Sequence, residues 1–314
     1  ESHLADGMAG GMEAVKRIIC IGHSALDHIF RVESFPRGPS KVRALEHVET
    51  GGGMAANAAA TIARLGGKAE LWSRVGDDDA GAKVRAGLRA LGVDVRSLQA
   101  FEEGRTSTSA IIVDNAGERL IVGSRDINMP SGTSWLPLER IRDADAVLGD
   151  VRWLEAVRVA FTRARREGVP TVLDGDLGAR EAMPELLAIT DYAIFSQPAL
   201  EDFLPQGTIE EKLQRVLEFG PRHAGVTLGA KGYQWLDRQA GTGYQPGFAV
   251  DVVDTTGAGD AFHGAFTLAL VEGKPIPECA RFACAVAAMK CTRLGSRAGL
   301  PTRAQVEGFL AAQG

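Results

Sequence analysis

The sequence predicts an α/β fold built on a mostly parallel sheet, and three observations carry that prediction. Apolar runs of strand length at residues 17–22, 69–75, 146–148, 171–173, 192–195 and 224–227 alternate with helical stretches. The first of them, Arg17 to Gly22, is unbroken by polar residues between its ends, as expected for a strand covered on both faces. Asp27, Arg152, Asp174 and Gly229 each follow such a run, and parallel sheets present ligand sites at the carboxyl ends of their strands.

Taken in order, residues 1–12 are rich in Gly, Ala and Met without periodicity, so residues 1–15 are expected to be a frayed leader and residues 16–314 one domain. Arg17 to Gly22 is a buried strand ending at glycine. From Val32 to Glu49 the chain is polar and broken by Pro36, Gly38 and Pro39, which fits an exposed excursion of one or two strands. Half of a lid is therefore expected near residues 31–50. Gly51-Gly52-Gly53 opens an Ala-rich helix from Met54 to Leu65 that Gly66-Gly67 closes, and Ala69 to Val75 is the next strand. Asp79 to Leu91 is a helix ended by Gly92. Ser107 to Gly123 alternates like a hairpin around Asn115-Ala116-Gly117, giving a second lid segment near 106–125. Helices follow at Trp153 to Glu167, Glu181 to Ala188 and Ile209 to Glu218, and no repeat or low-complexity tract interrupts the pattern.

The 314 residues, 45% apolar and 24% charged, suffice for a substantial core. A formal net charge of -5 argues against broad binding to nucleic acid or anionic membranes and favours small soluble partners. No apolar run reaches bilayer length and no signal pattern opens the chain, so a cytoplasmic setting is expected. Cys20, Cys279, Cys284 and Cys291 show no metal spacing and read as reduced, buried thiols.

Chemistry concentrates in Asp254-Thr255-Thr256-Gly257-Ala258-Gly259-Asp260-Ala261-Phe262-His263-Gly264, which runs into the apolar stretch Ala265 to Val271. A Gly-Ala-Gly turn opening a helix exposes backbone N–H groups that nest an anion such as a transferring phosphoryl group. Asp260 stands at the mouth of that nest, where a carboxylate can take a proton from an attacking hydroxyl. Gly51-Gly52-Gly53 precedes a helix carrying Asn57 in its first turns, so close backbone approach and an amide side chain are available to grip sugar hydroxyls. Asn57 can equally serve as a helix-start hydrogen bond. His263 reads either as a neutral packed histidine or as a proton relay.

With Gly52-Gly53-x-x-x-Asn57, Leu65-Gly66, Gly76-Asp77-Asp78 and the 254–264 run in this order, the chain from Arg17 onward resembles the ribokinase-like (PfkB) sugar kinases. The resemblance implies a three-layer α/β/α sandwich with a small β-sheet lid. It implies Asp260 as catalytic base and the amides of Gly257, Ala258 and Gly259 as the anion hole. Asp27, Gly52, Gly53 and Asn57 would hold sugar hydroxyls, and Thr227, Gly229 and Gly232 would line the nucleotide segment. ATP is the implied donor, with Mg²⁺ bound mainly through its phosphates. Asp254, Thr256 and Ser296 would belong to a K⁺-binding loop, or Asp254 would merely stabilise its turn. Lys231 is a nucleotide-segment residue or a solvated loop cation.

One departure concerns an Asn-x-x-Glu motif of many relatives, which organises magnesium and water; the matching residues are Ser196-Gln197-Pro198-Ala199. Leu148 to Trp153, with Leu173-Asp174-Gly175-Asp176, is more similar to 6-deoxy-6-sulfofructose kinases than to ribokinase. Arg152 there presents a planar fork suited to phosphate or sulfonate oxygens, and Lys41 falls where those kinases place a lid lysine. Both also have a bland reading, Arg152 as a helix-start partner of Glu155 and Lys41 as an edge-strand gatekeeper. An asparagine of those kinases is replaced by Gly123, with Ser124 and Arg125 beside it. The expected reaction is phosphorylation of a ketose primary hydroxyl, the 1-OH of a fructose-like sugar with an anionic C6 group. Alternatives are a neutral sugar or sugar acid, a non-catalytic sensor, or a nucleoside kinase. The last is disfavoured by 6% aromatics. Relatives commonly pair their lids, so a homodimer through the lid is expected.

Overall fold

A computed structural model describes residues 14–116 and 118–313, so the expected leader lies almost wholly outside the described residues. The first half comprises β1 (Arg17–Gly22), β2 (Ala25–Arg31), β3 (Glu46–Gly52), α1 (Met54–Arg64), β4 (Lys68–Gly76), α2 (Asp79–Ala90), β5 (Leu98–Phe101), β6 (Ser107–Val113), β7 (Arg119–Ser124) and β8 (Ala146–Asp150). The second comprises α3 (Leu154–Glu167), β9 (Thr171–Gly175), α4 (Met183–Leu187), β10 (Tyr192–Ser196), α5 (Gln197–Phe203), α6 (Ile209–Glu218), β11 (His223–Thr227), β12 (Gly232–Asp237), β13 (Gly241–Pro246), α7 (Ala258–Val271), α8 (Ile276–Lys290) and α9 (Arg303–Ala312).

The larger sheet runs β13-β12-β11-β10-β9-β8-β1-β4-β5, parallel except where β12 and β13 join antiparallel. Because successive side chains alternate faces, Ile18 and Cys20 enter one core while Ile19 and Ile21 enter the other. The first core holds α1, α2, α7, α8 and α9; the second holds α3 to α6. Helices thus cover both faces in three layers. The near-continuous burial of β1, β8 and β9 is the reason those runs carried no polar alternation.

One helix contact positions the site. A Cβ on Gly264 would sit 2.6 Å from the Ala58 carbonyl oxygen, so α7 and the Ala-rich α1 pack backbone to backbone. That approach sets Asn57 of α1 beside Asp260 of α7.

The smaller sheet has the order β3-β2-β6-β7. It differs from expectation at its start: residues 25–31 are a strand, Asp27 lies inside it, and residues 32–45 contain no strand. The strand went unread because Asp27, His28 and Arg31 interrupt its apolar residues. Ile29, Ile111 and Val113 pack one face with Leu294, while on the other Phe30 stacks on His47 at 4.6 Å and Leu120 and Val122 are exposed. The expected hairpin is present, and Asp114 accepts from the amides of Ala116 and Glu118 at its turn; Gly117 lies outside the described residues.

Candidate active site

Gly257 caps α7 with φ of 74°, a left-handed conformation that disfavours side chains, and a Cβ there would lie 2.9 Å from that of Ser296. The Ala258 amide donates to the Thr255 carbonyl at 3.2 Å, so it is not free as expected. Gly257 and Gly259 donate to no acceptor among the described residues, and Gly259 faces open space. The anion nest therefore includes these two glycine amides and the Asp260 amide, which likewise has no acceptor among the described residues, at the positive end of a 14-residue helix.

Asp260 is half-buried in the first turn, and its Oδ2 accepts from Asn57 Nδ2 at 2.8 Å. Burial, reinforced by the Asp174 carboxyl, pushes its pKa up to about 7, and the Asn57 bond pulls the other way. Asp174 is likewise raised well above the usual carboxylate range, mainly by burial. His263 Nε2 lies 3.2 Å from the Ile194 carbonyl oxygen and 3.3 Å from Asp174 Oδ1, and Nδ1 lies 2.7 Å from the Gly259 carbonyl oxygen. Burial lowers the His263 pKa, consistent with a neutral packed ring that braces the turn.

Each glycine of the second cluster has a steric reason. On Gly51 a Cβ would meet Arg297 Nη1 at 1.9 Å; on Gly52 it would meet Asp27 Oδ2 at 2.0 Å; on Gly53, with φ of 93°, it would meet the His23 carbonyl oxygen at 2.5 Å. Asp27 is buried, which raises its pKa, while Ser109 and Arg297 oppose the rise. Arg297 donates to Asn57 Oδ1 at 2.9 Å and to the Gly52 carbonyl at 3.1 Å. Asp150 collects the amides of His23, Ala55 and Arg152 at 2.7, 3.1 and 2.8 Å, tying β1, α1 and α3 together. Neither Arg297 nor Asp150 was read as functional from sequence. Their significance depends on partners far away along the chain.

A cavity of about 430 Å³ opens beside the nest, lined by Thr227, Gly229, Gly232, Ala258, Gly259 and Phe248 among others. The residues expected to hold nucleotide thus share one cleft with the anion turn.

Two expected sets arrange otherwise. Asp254 Oδ1 accepts from the Thr256 amide and hydroxyl, Oδ2 accepts from the Gly295 amide, and Ser296 Oγ donates to the Gly51 carbonyl at 2.7 Å. The Asp254 carbonyl itself accepts from Lys290 Nζ at 2.7 Å, and Lys290 is 0% exposed. A protein ammonium thus caps the loop, and its donors do not fit an open K⁺ site. Arg119 of β7 also reaches this loop, donating to Thr255 Oγ1.

Arg152 bonds the Leu177 carbonyl at 2.6 Å and Asp176 at 2.7 Å, and it forms no ion pair with Glu155. Lys41 is exposed and makes no hydrogen bond or ion pair among the described residues. Burial lowers the His23 pKa to about 3, with the charges of Arg125, Arg152 and Arg74 adding to the shift. Arg74 lies 4.2 Å over the Trp153 ring and donates to the Pro130 carbonyl. In the stretch that replaces Asn-x-x-Glu, Ser196 bonds Asp176 at 3.1 Å and Gln197 bonds Glu201 at 2.8 Å.

The profile described as pfkB family carbohydrate kinase matches residues 15–303. The chain is 33% identical over 298 residues to the ATP-dependent ribose-1-phosphate kinase of Halopiger xanaduensis, covering 94% of this chain and 98% of that protein. An Agrobacterium tumefaciens protein assigned as a ribokinase superposes with a TM-score of 0.91 at 36% identity, covering 95% and 98% of the two chains. Arabidopsis thaliana ribokinase complexed with ribose and ATP gives 0.82 at 26% identity over 95% and 99%.

Proposed function

The chain belongs to the pfkB family of carbohydrate kinases, and from that premise we propose that it transfers the terminal phosphoryl group of ATP to a primary hydroxyl of a sugar. The observation that carries this reading is Asp260 beside two free glycine amides at the start of α7, with Asn57 on one side and the 430 Å³ cleft on the other. Asp27 and Asn57 hold sugar hydroxyls, which orients the reacting one toward Asp260. Asp260 accepts that proton as the oxygen attacks phosphorus in line. Charge moving onto the phosphoryl oxygens is met by the amides of Gly257 and Gly259. Mg²⁺ carried by the nucleotide would neutralise its phosphates; among the described residues no group of three or more His, Cys, Asp or Glu side chains is placed to hold it.

The substrate reading is a sugar bearing an anionic group, and its support is the cluster of Arg74, Arg125 and Arg152. Asp176 pairs with Arg152, whereas Arg125 is exposed and open to an anionic group of a ligand. The Halopiger relative is named for a sugar phosphate, and a phosphate monoester suits such a cluster better than a neutral hydroxymethyl group. The accepting primary hydroxyl is the 1-OH of a ketose or the 5-OH of an aldose. Measuring sugar-dependent ADP formation with ribose, fructose, ribose 1-phosphate, fructose 6-phosphate and 6-deoxy-6-sulfofructose tests this. Preference for a charged sugar, weakened by Arg125→Ala with neutral sugars unaffected, is expected. Equal use of neutral sugars overturns the anionic reading, and no turnover with any of them counts against a sugar kinase.

The smaller sheet acts as the lid, within a single domain from residue 16 onward. Its face of exposed Leu120 and Val122 beside the half-buried Phe30 pairs with a second copy to give a dimer. Four unpaired buried cysteines suit a reducing, cytoplasmic setting.

A further inference from the structure

Arg297 is 9% exposed and forms no ion pair among the described residues. Burying a guanidinium without a salt-bridge partner is strongly disfavoured, so its remaining contacts deserve a physical reason. They lie entirely within the site. Its Nε meets Asn57 Oδ1 at 2.9 Å and its Nη2 meets the Gly52 carbonyl at 3.1 Å, and Gly51 makes room for Nη1.

A guanidinium offers donors and no acceptor, so the Asn57 atom facing it must be the amide oxygen. The NH2 group is then directed at Asp260, where it donates at 2.8 Å. We propose that Arg297 is the positioning residue that presets Asp260 as a base, by fixing the direction of the Asn57 amide and by holding a permanent charge within reach of Asp27 and Asp260. The proposal rests on Asp260 being the base.

The groups acting on Asp260 come from several elements. Asp174 of β9 and Asp150 of β8 oppose its ionisation; Asn57 of α1, Lys290 of α8 and Arg297 favour it, and His263 of α7, being neutral, adds no charge. Burial lowers the Arg297 pKa to about 10, so it remains charged at neutral pH. Without it the Asn57 amide is free to turn its oxygen toward Asp260. That orientation suits the protonated carboxyl, which is useless as a base.

The test is a pH titration of the Asp260 carboxyl carbon by NMR in the unliganded chain labelled at aspartate, its signal assigned by absence from Asp260→Asn. The wild-type midpoint is expected at about 7. Arg297→Met should raise it by about one unit or more, with Arg297→Lys intermediate, because lysine keeps the charge but not the fork. Should Arg297→Met not fold, Gly51→Ala, whose Cβ displaces the same guanidinium, must raise the midpoint likewise. An unchanged midpoint in a folded form of either variant overturns the proposal. The readout needs neither sugar nor turnover, so its failure is separate from any failure of Asp260→Asn to abolish catalysis.

Discussion

Replacing Gly52 with alanine perturbs the sugar end of the site with little else. The new Cβ would lie 2.0 Å from Asp27 Oδ2, and ordinary contact begins at 3.4 Å, so the carboxylate must retreat by about 1.4 Å. A hydrogen bond stretched that far is lost. Losing one charge-assisted bond costs about 1.5–3 kcal/mol, or about 10–100-fold in kcat/KM for the sugar. Gly52 is not among the positive-φ glycines, so alanine fits its backbone and the fold should persist. The assay is coupled ADP formation at saturating ATP with the best sugar of the panel, beside a thermal melt and the KM for ATP. An unchanged sugar kcat/KM, or an equal loss on the nucleotide side, would refute Asp27 as the hydroxyl holder.

Further expectations follow from the same geometry. Because Asp260 must have lost its proton to act and its pKa is raised to about 7, kcat/KM for the sugar should climb with pH through about 7; a flat profile across that range contradicts the base assignment. With Lys290 capping the Asp254 carbonyl, wild-type rates should not change when K⁺ is exchanged for tetramethylammonium, whereas Lys290→Met should slow about tenfold or more and respond to added K⁺. A wild-type K⁺ requirement would contradict this. Gly264→Ala puts a Cβ 2.6 Å from the Ala58 carbonyl oxygen, so overpacking of about 1–3 kcal/mol should lower the Tm by several degrees; an unchanged Tm would show that α1 and α7 can part freely.

The parallel strands were legible because burial on both faces writes itself as unbroken apolar runs, as in Ile18 to Ile21. The Asp254–Gly264 turn was legible because its chemistry is local. By contrast, β2 mixes Asp27, His28 and Arg31 with apolar residues, since one face meets the site and the other solvent. The α8 and α9 helices were passed over, although α8 forms a wall of the first core and Thr302 and Gln305 form a capping box for α9. Arg297 and Lys290 were invisible for a different reason. A lone basic residue looks solvated until folding brings Asn57 or the Asp254 carbonyl beside it, across 240 and 36 residues. The bland reading of Arg152 as a partner of Glu155 does not hold, because Asp176 arrives from the adjacent strand end.

The most direct measurement is sugar-dependent ADP formation by Asp260→Asn, made alongside calorimetric binding of a non-hydrolysable ATP analogue. Asparagine keeps the shape and cannot accept the proton, so turnover should fall by about 10²–10⁴-fold while nucleotide binding persists. Turnover within a few-fold of wild type would mean that the hydroxyl loses its proton elsewhere.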